Sequence, residues 1–115
     1  MFWDSLVKES IMAIAEISIV PIGTDTTSVS SYVAGAITIL KESGLSYTLT
    51  PMGTVVEGEL EAVMAACTRM HASAFDKGSQ RVYTTIKLDD RRDGEDGPRM
   101  AHKVASVERK LQNKA

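Results

Sequence analysis

Apolar and polar positions change rhythm repeatedly along this chain. Over residues 13–20, Ala15, Ile17 and Ile19 alternate with Glu16 and Ser18, the two-residue period of a strand that buries one face. Pro21-Ile22-Gly23 is expected to stop that strand, and Ser28, closing the polar loop 24–28, is a candidate helix N-cap. The period then lengthens. Val29, Val33, Ala36, Ile37 and Leu40 fall on one side of a helix, with Lys41 in its last turn and Gly44 at the left-handed position beyond it.

Residues 47–58, Tyr-Thr-Leu-Thr-Pro-Met-Gly-Thr-Val-Val-Glu-Gly, read as two short strands joined by a hairpin-like reversal at Pro51-Met52-Gly53. Proline cannot donate to a ladder, so the first run is predicted to be an edge strand or to end at Pro51. A helix follows from near Glu59, with Leu60, Val63, Met64, Cys67, His71 and Ala74 as its stripe. Glu59 and Glu61 lie in its first turn, where the helix dipole favours anions, and Gly78 closes it. Residues 81–88 alternate again: Val82, Thr84, Ile86 and Leu88 on one face, Tyr83, Thr85 and Lys87 on the other. A charged loop, 89–97, is expected to be mobile. After it, Pro98 pre-sets a helix striped by Met100, Val104, Val107 and Leu111, which frays at 113–115.

Strand, helix, strand, strand, helix, strand is two similar halves meeting at the hairpin. The predicted fold is α+β: a ferredoxin-like βαββαβ antiparallel sheet with an additional C-terminal helix. Residues 12–115 form one domain in this reading, and 1–11 are an N-terminal extension. Helices cover one sheet face. The other is expected to carry Glu16, Ser18, Tyr83, Thr85 and Lys87 mixed with Val20, Tyr47 and Leu49. Such a surface suits a subunit interface or the floor of a shared pocket.

Composition narrows the function. The 115 residues are 43% hydrophobic and 24% charged with a net charge of −2, ordinary for a small globular domain and without support for general nucleic-acid binding. From Pro98 onward Arg99, Lys103, Arg109, Lys110 and Lys114 face only Glu108, a basic tail read as a solvated helix face. Cys67 is the sole cysteine, which removes disulfides and cysteine metal clusters and suits a reducing compartment. No apolar run approaches the roughly 18 residues of a membrane span. Residues 1–11 carry Asp4 and Glu9 and lack a signal peptide's basic start, so a cytoplasmic location is expected. Neither His71 nor His102 has a partner at metal-ligand spacing. With no nucleophile–base pair or phosphate loop in the sequence, a non-catalytic protein without cofactor or metal is expected.

Several segments together resemble the small thiamine-binding-protein family. They are Ile19-Val20-Pro21-Ile22-Gly23, Ser31-Tyr32-Val33-Ala34, Ser43-Gly44-Leu45-Ser46-Tyr47, the run Thr50-Pro51-Met52-Gly53-Thr54-Val55-Val56-Glu57-Gly58, Gly78-Ser79-Gln80-Arg81-Val82 and Lys87-Leu88-Asp89-Asp90-Arg91. The likeness covers roughly residues 12–111, and the Pro-Met-Gly-Thr to Glu-Gly segment is its most specific part. The leader 1–11 and the length of loop 89–97 depart from the family pattern. The resemblance implies a ferredoxin-like homo-oligomer, commonly a tetramer of sheet-associated dimers, that binds thiamine or its hydroxymethylpyrimidine half.

Thiamine pairs a cationic thiazolium with an aminopyrimidine of mixed donors and acceptors. Holding it calls for a carboxylate, a few hydroxyl or backbone partners and a flat apolar surface. Glu57, at the end of the inner hairpin strand, is the first candidate, with helix capping or a salt bridge as its plain alternative. Thr54 follows the turn and offers a hydroxyl or merely stabilises the turn. Ser30, Ser31 and Tyr32 open the first helix, where capping competes with ligand contact and Tyr32 provides either a stacking face or core. Glu16 and Ser18 point to the open sheet face, where an ion pair of Glu16 with Lys87 or Arg81 is the favoured reading. Cys67, on an apolar stripe, reads as an inert core thiol.

Overall fold

A computed structural model describes residues 12–24, 29–92 and 99–113. The leader 1–11, the proposed cap Ser28 and most of the acidic loop lie outside the described residues. The elements are β1 (Ala13–Ile22), α1 (Ser30–Ser43), β2 (Ser46–Thr50), β3 (Gly53–Gly58), α2 (Leu60–Asp76), β4 (Arg81–Asp90) and α3 (Arg99–Gln112). The strands lie in the order β2-β3-β1-β4 with every neighbour antiparallel. The fold is therefore ferredoxin-like α+β with a C-terminal helix added.

Register explains which side chains meet. Ala15 stands opposite Val56 and Leu88, and Ile17 opposite Thr54 and Ile86, so these residues share one sheet face. On that face α1 and α2 lay Ala36, Leu40, Val63, Ala66, Cys67 and Met70 over Ala15, Ile17 and Val56 to make the core. Leu40 and Val63 are completely buried, and a fully enclosed aliphatic side chain contributes about 1.5–3 kcal/mol. His71 reaches down from α2 so that its Nδ1 lies 2.6 Å from Thr84 Oγ1, and its ring meets Phe75 edge to face. These contacts tie α2 to β4.

Both glycine stops form. Gly44 ends α1 at φ 75°, and Gly78, at φ 100°, donates to Phe75 while Ser79 donates to Ala74. Glu59 itself is the N-cap of α2, its carboxylate accepting from the Glu61 and Ala62 amides at 3.1 Å. For α1 the N-cap is Val29, with no side-chain cap bond. The hairpin turns at Pro51-Met52. Thr50 Oγ1 donates to the Gly53 carbonyl (2.8 Å) and accepts from the Met52 and Gly53 amides. β2 is an edge strand and ends before Pro51, as its missing donor requires.

Two expectations are corrected. Pro21 does not stop β1, which continues through Ile22 and ends at Gly23. Beyond Ile17, β1 is paired only with β4, so along that stretch a missing N–H on the far side breaks no ladder bond. Tyr47 and Leu49 do not belong to the open face. They stand opposite Val56 and Thr54 and so share the helix-covered face, where Tyr47 packs against the core.

The open face carries Glu16, Ser18, Val20, Tyr83, Thr85 and Lys87 as predicted by alternation. The Lys87–Glu16 pair forms at 3.9 Å between largely exposed groups, where such a pair contributes little. α3 lies on this side. Its Met100 amide donates to Glu57 Oε2 at 2.9 Å, and Lys103 meets Asp89 at 3.1 Å. Glu57 and Asp89 both flank Ile14, one register position from the core-facing Ala15, and so point away from the core. The stripe of α3 is not covered: Val104, Val107 and Leu111 are 57–63% exposed.

Candidate functional site

Towards its N-terminus α1 stands off the sheet. Ala36 and Leu40 are buried, but Val29 and Val33, on the same stripe, are about two-fifths exposed. The space beneath them is a cleft of about 890 Å³ between α1, the upper part of β1 and the β2–β3 hairpin. That volume falls within the roughly 300–1,000 Å³ of small-molecule sites. Its walls are mainly apolar: Ile17, Ile19 and Leu49 from the sheet, Val33 and Ile37 from the helix, Met52 from the turn. Met52 is 82% exposed at the hairpin tip, an unfavourable place for a thioether unless something covers it.

Thr54, Ser30 and Tyr32 all line this cleft. Thr54 is held by pairing with Ile17 on one side and Leu49 on the other, and only 6% of it is exposed. Gly53 beside it is required by space, since a Cβ there would stand 2.9 Å from the Ile17 carbonyl oxygen. Ser18 borders the cleft, although alternation sends its side chain to the opposite sheet face. Ser31 is exposed and is not part of the lining. Glu16 and Glu57 are on the other side of the sheet. Glu57 is buried because it caps α3. Thus Thr54, Ser30 and Tyr32 come together, while the two carboxylates do not join them.

The electrostatics follow from that separation. Lys41 is the one charged residue among the described residues that line the cleft, and no carboxylate faces it. Val33 and Ile37, expected in the core, Met52, expected in the turn, and Leu49, expected on the open sheet face, also line the cleft. One sequence signal was available. Gly35 sits inside α1 at a helix-propensity cost of about 1 kcal/mol, which points to a close neighbour; the structure puts the Lys77 stem there.

Elsewhere the chemistry is quiet. Cys67 is buried, and desolvation pushes its thiol above the usual value. Among the described residues no three His, Cys, Asp or Glu side chains are grouped to hold a metal ion. Neither His71 nor Thr84 is among the residues that line the cleft. No helix of the described residues is long and apolar enough to cross a membrane.

Fold and cleft together define the class: a small ferredoxin-like α+β protein with an apolar cavity between its helix layer and the hairpin. The profile of the family described as thiamine-binding protein matches residues 15–108, and the chain belongs to that family. It is similar to the UPF0045 protein of Methanothermobacter thermautotrophicus, 46% identical over 101 residues, covering 87% of this chain and 100% of the relative. Among solved structures it resembles the MJ1052 protein of Methanocaldococcus jannaschii (TM-score 0.71, 34% identity, 83% of this chain and 96% of that one). It shares its fold with a Thermotoga maritima protein provisionally assigned to thiamine biosynthesis or salvage (TM-score 0.67, 23% identity, 84% and 98% covered).

Proposed function

We propose that this protein is a non-catalytic, cytoplasmic binder of thiamine or its hydroxymethylpyrimidine moiety, and that the cleft beneath α1 is the site. The supporting observation is the cleft itself: an apolar slot whose lining includes Thr54, Ser30 and Tyr32, in a chain of the thiamine-binding family. A flat aminopyrimidine suits the aliphatic walls and takes its hydrogen bonds from the hydroxyls. With no carboxylate among its described lining residues, the cleft would hold the thiazolium against the Tyr32 ring, an attraction of about 0.5–2 kcal/mol. Residues 12–115 act as the one binding domain, and the single buried cysteine suits a reducing compartment.

Calorimetric titration of the full chain with thiamine and with hydroxymethylpyrimidine tests this reading. A dissociation constant below about 1 mM for at least one is expected. Thr54→Val should weaken it about 3–10-fold, the worth of one neutral hydrogen bond. No heat with either compound would overturn the proposal.

A second reading has its own support: the uncovered α3 stripe. Glu57 and Lys103 hold α3 on the open-face side, so Val104, Val107 and Leu111 share that side with exposed Val20 and Tyr83. A second copy related by a two-fold axis would meet this surface with the same one, joining apolar to apolar and Lys87 to Glu16. On this reading the protein is a regulatory or scaffolding homo-oligomer, a dimer or tetramer with no small-molecule ligand. Its sign would be an oligomer mass in light scattering together with a melting temperature unmoved by either compound.

A further inference from the structure

A second cavity, of about 620 Å³, opens beside the first and shares Tyr32 with it. Its character is different. Its described lining includes Thr24, Lys77, Ser79, Gln80 and Arg81, with two cations and no acidic residue, in a chain whose net charge is −2. Neither Lys77 nor Arg81 forms an ion pair with another described residue. Lys77 is exposed, with its stem running along α1. A Cβ on Gly35 would stand 2.6 Å from Lys77 Cε and 3.6 Å from its Nζ, so the lysine stem lies against the bare backbone of α1, one turn after Tyr32. The backbone of Arg81 is fixed by its pairing with Ile22 at the start of β4 and by its carbonyl accepting from Ser79 Oγ at 2.9 Å. Among the described residues the main cleft is lined by no carboxylate, whereas the adjoining cavity has two cations that pair with no described carboxylate.

Resting on the proposed binding function, we infer that the ligand is taken in a phosphorylated form, with its ring in the apolar cleft and its phosphate or diphosphate between Lys77 and Arg81. The phosphate cancels the positive charge that the cleft cannot neutralise, and the heteroaromatic portion supplies the apolar contact. Tyr32 stands at the junction of the two. A charge-assisted contact from each cation, weakened by its exposure to water, makes the phosphorylated form roughly 10–100-fold tighter than the parent compound. This preference shrinks as salt is raised.

The test is calorimetry on the full chain with four probes: thiamine, thiamine monophosphate, thiamine diphosphate and inorganic pyrophosphate. It is repeated on Lys77→Met, which keeps the stem against Gly35, and on the double variant with Arg81→Gln. The ratio of phosphorylated to parent affinity should be at least about tenfold in the natural chain and fall towards unity in the double variant. Gly35→Ala, which displaces Lys77 while favouring the helix, should lower the same ratio without loss of thermal stability. Equal affinities for phosphorylated and parent compounds overturn the inference and leave the binding function standing, as does a preference that survives the double variant. Pyrophosphate binding that the double variant abolishes, with no binding of any thiamine compound, overturns the proposed function but keeps the cationic cavity as an anion site. Silence with all four probes overturns both.

Discussion

Replacing Glu57 by alanine separates the anchoring of α3 from the rest of the fold. Glu57 is 5% exposed, and its carboxylate accepts the Met100 amide at 2.9 Å, forty-three residues along the chain. A hydrogen bond to a charged group contributes about 1.5–3 kcal/mol. A negative charge at a helix N-terminus adds about 0.3–1 kcal/mol. Together the loss is about 2–4 kcal/mol, a factor of about 30–800 in the docking equilibrium of α3. Val104, Val107 and Leu111 are exposed and the Lys103–Asp89 pair lies at the surface, so neither replaces the Glu57 contact. α3 should therefore undock before the sheet is affected. Hydrogen exchange read by mass spectrometry should show α3 amides losing about 30-fold or more of their protection, while those of β1 and α2 lose far less. Glu57→Gln, which keeps an acceptor but not the charge, should fall between. Unchanged exchange across α3 in Glu57→Ala would refute the reasoning.

Two further outcomes follow. Val107→Asp with Leu111→Asp should leave the melting temperature of the isolated fold within a few degrees, because both side chains are exposed, yet reduce any oligomer to monomer by light scattering; an unchanged mass would remove α3 from the proposed interface. Burial raises the Cys67 thiol above its ordinary 9.0, so its contribution to stability is complete below pH 9.0 and is lost as pH climbs through the higher folded value. Melting temperatures of the natural chain and Cys67→Ala, compared from pH 7 to 11, should show that alkaline loss only in the natural chain, and parallel curves would contradict it.

Much of the fold could be read from local patterns because local physics decides it. Ala15, Ile17 and Ile19 alternate because one face of β1 is core, and Gly44 and Gly78 sit where helix ends need a left-handed residue. Pro51 marks an edge strand for lack of a donor. Pro21 misled because the same rule depends on the partner: on the half of β1 that β3 does not reach, no donor is missed. Tyr47 and Leu49 lie on the covered face because a register shift of one residue reverses every side chain, and that register is set by β3. The candidate site divided in the same way. Thr54, Ser30 and Tyr32 are brought together by the hairpin and the start of α1, elements close in sequence. Glu57 stands apart from that group, and its partner, the Met100 amide, belongs to a distant helix that no local pattern announces. The cleft depends on how far α1 stands from the sheet, which the spacing of Val29, Val33 and Ala36 does not encode.

The most direct test of the central claim is a map of backbone and methyl NMR shifts as thiamine or hydroxymethylpyrimidine is added to the full chain. The account predicts that perturbations gather at Tyr32, Val33, Ile37, Leu49, Met52 and Thr54, around the cleft. Perturbations gathered instead at Glu16, Tyr83 and Lys87, on the opposite sheet face, would contradict it.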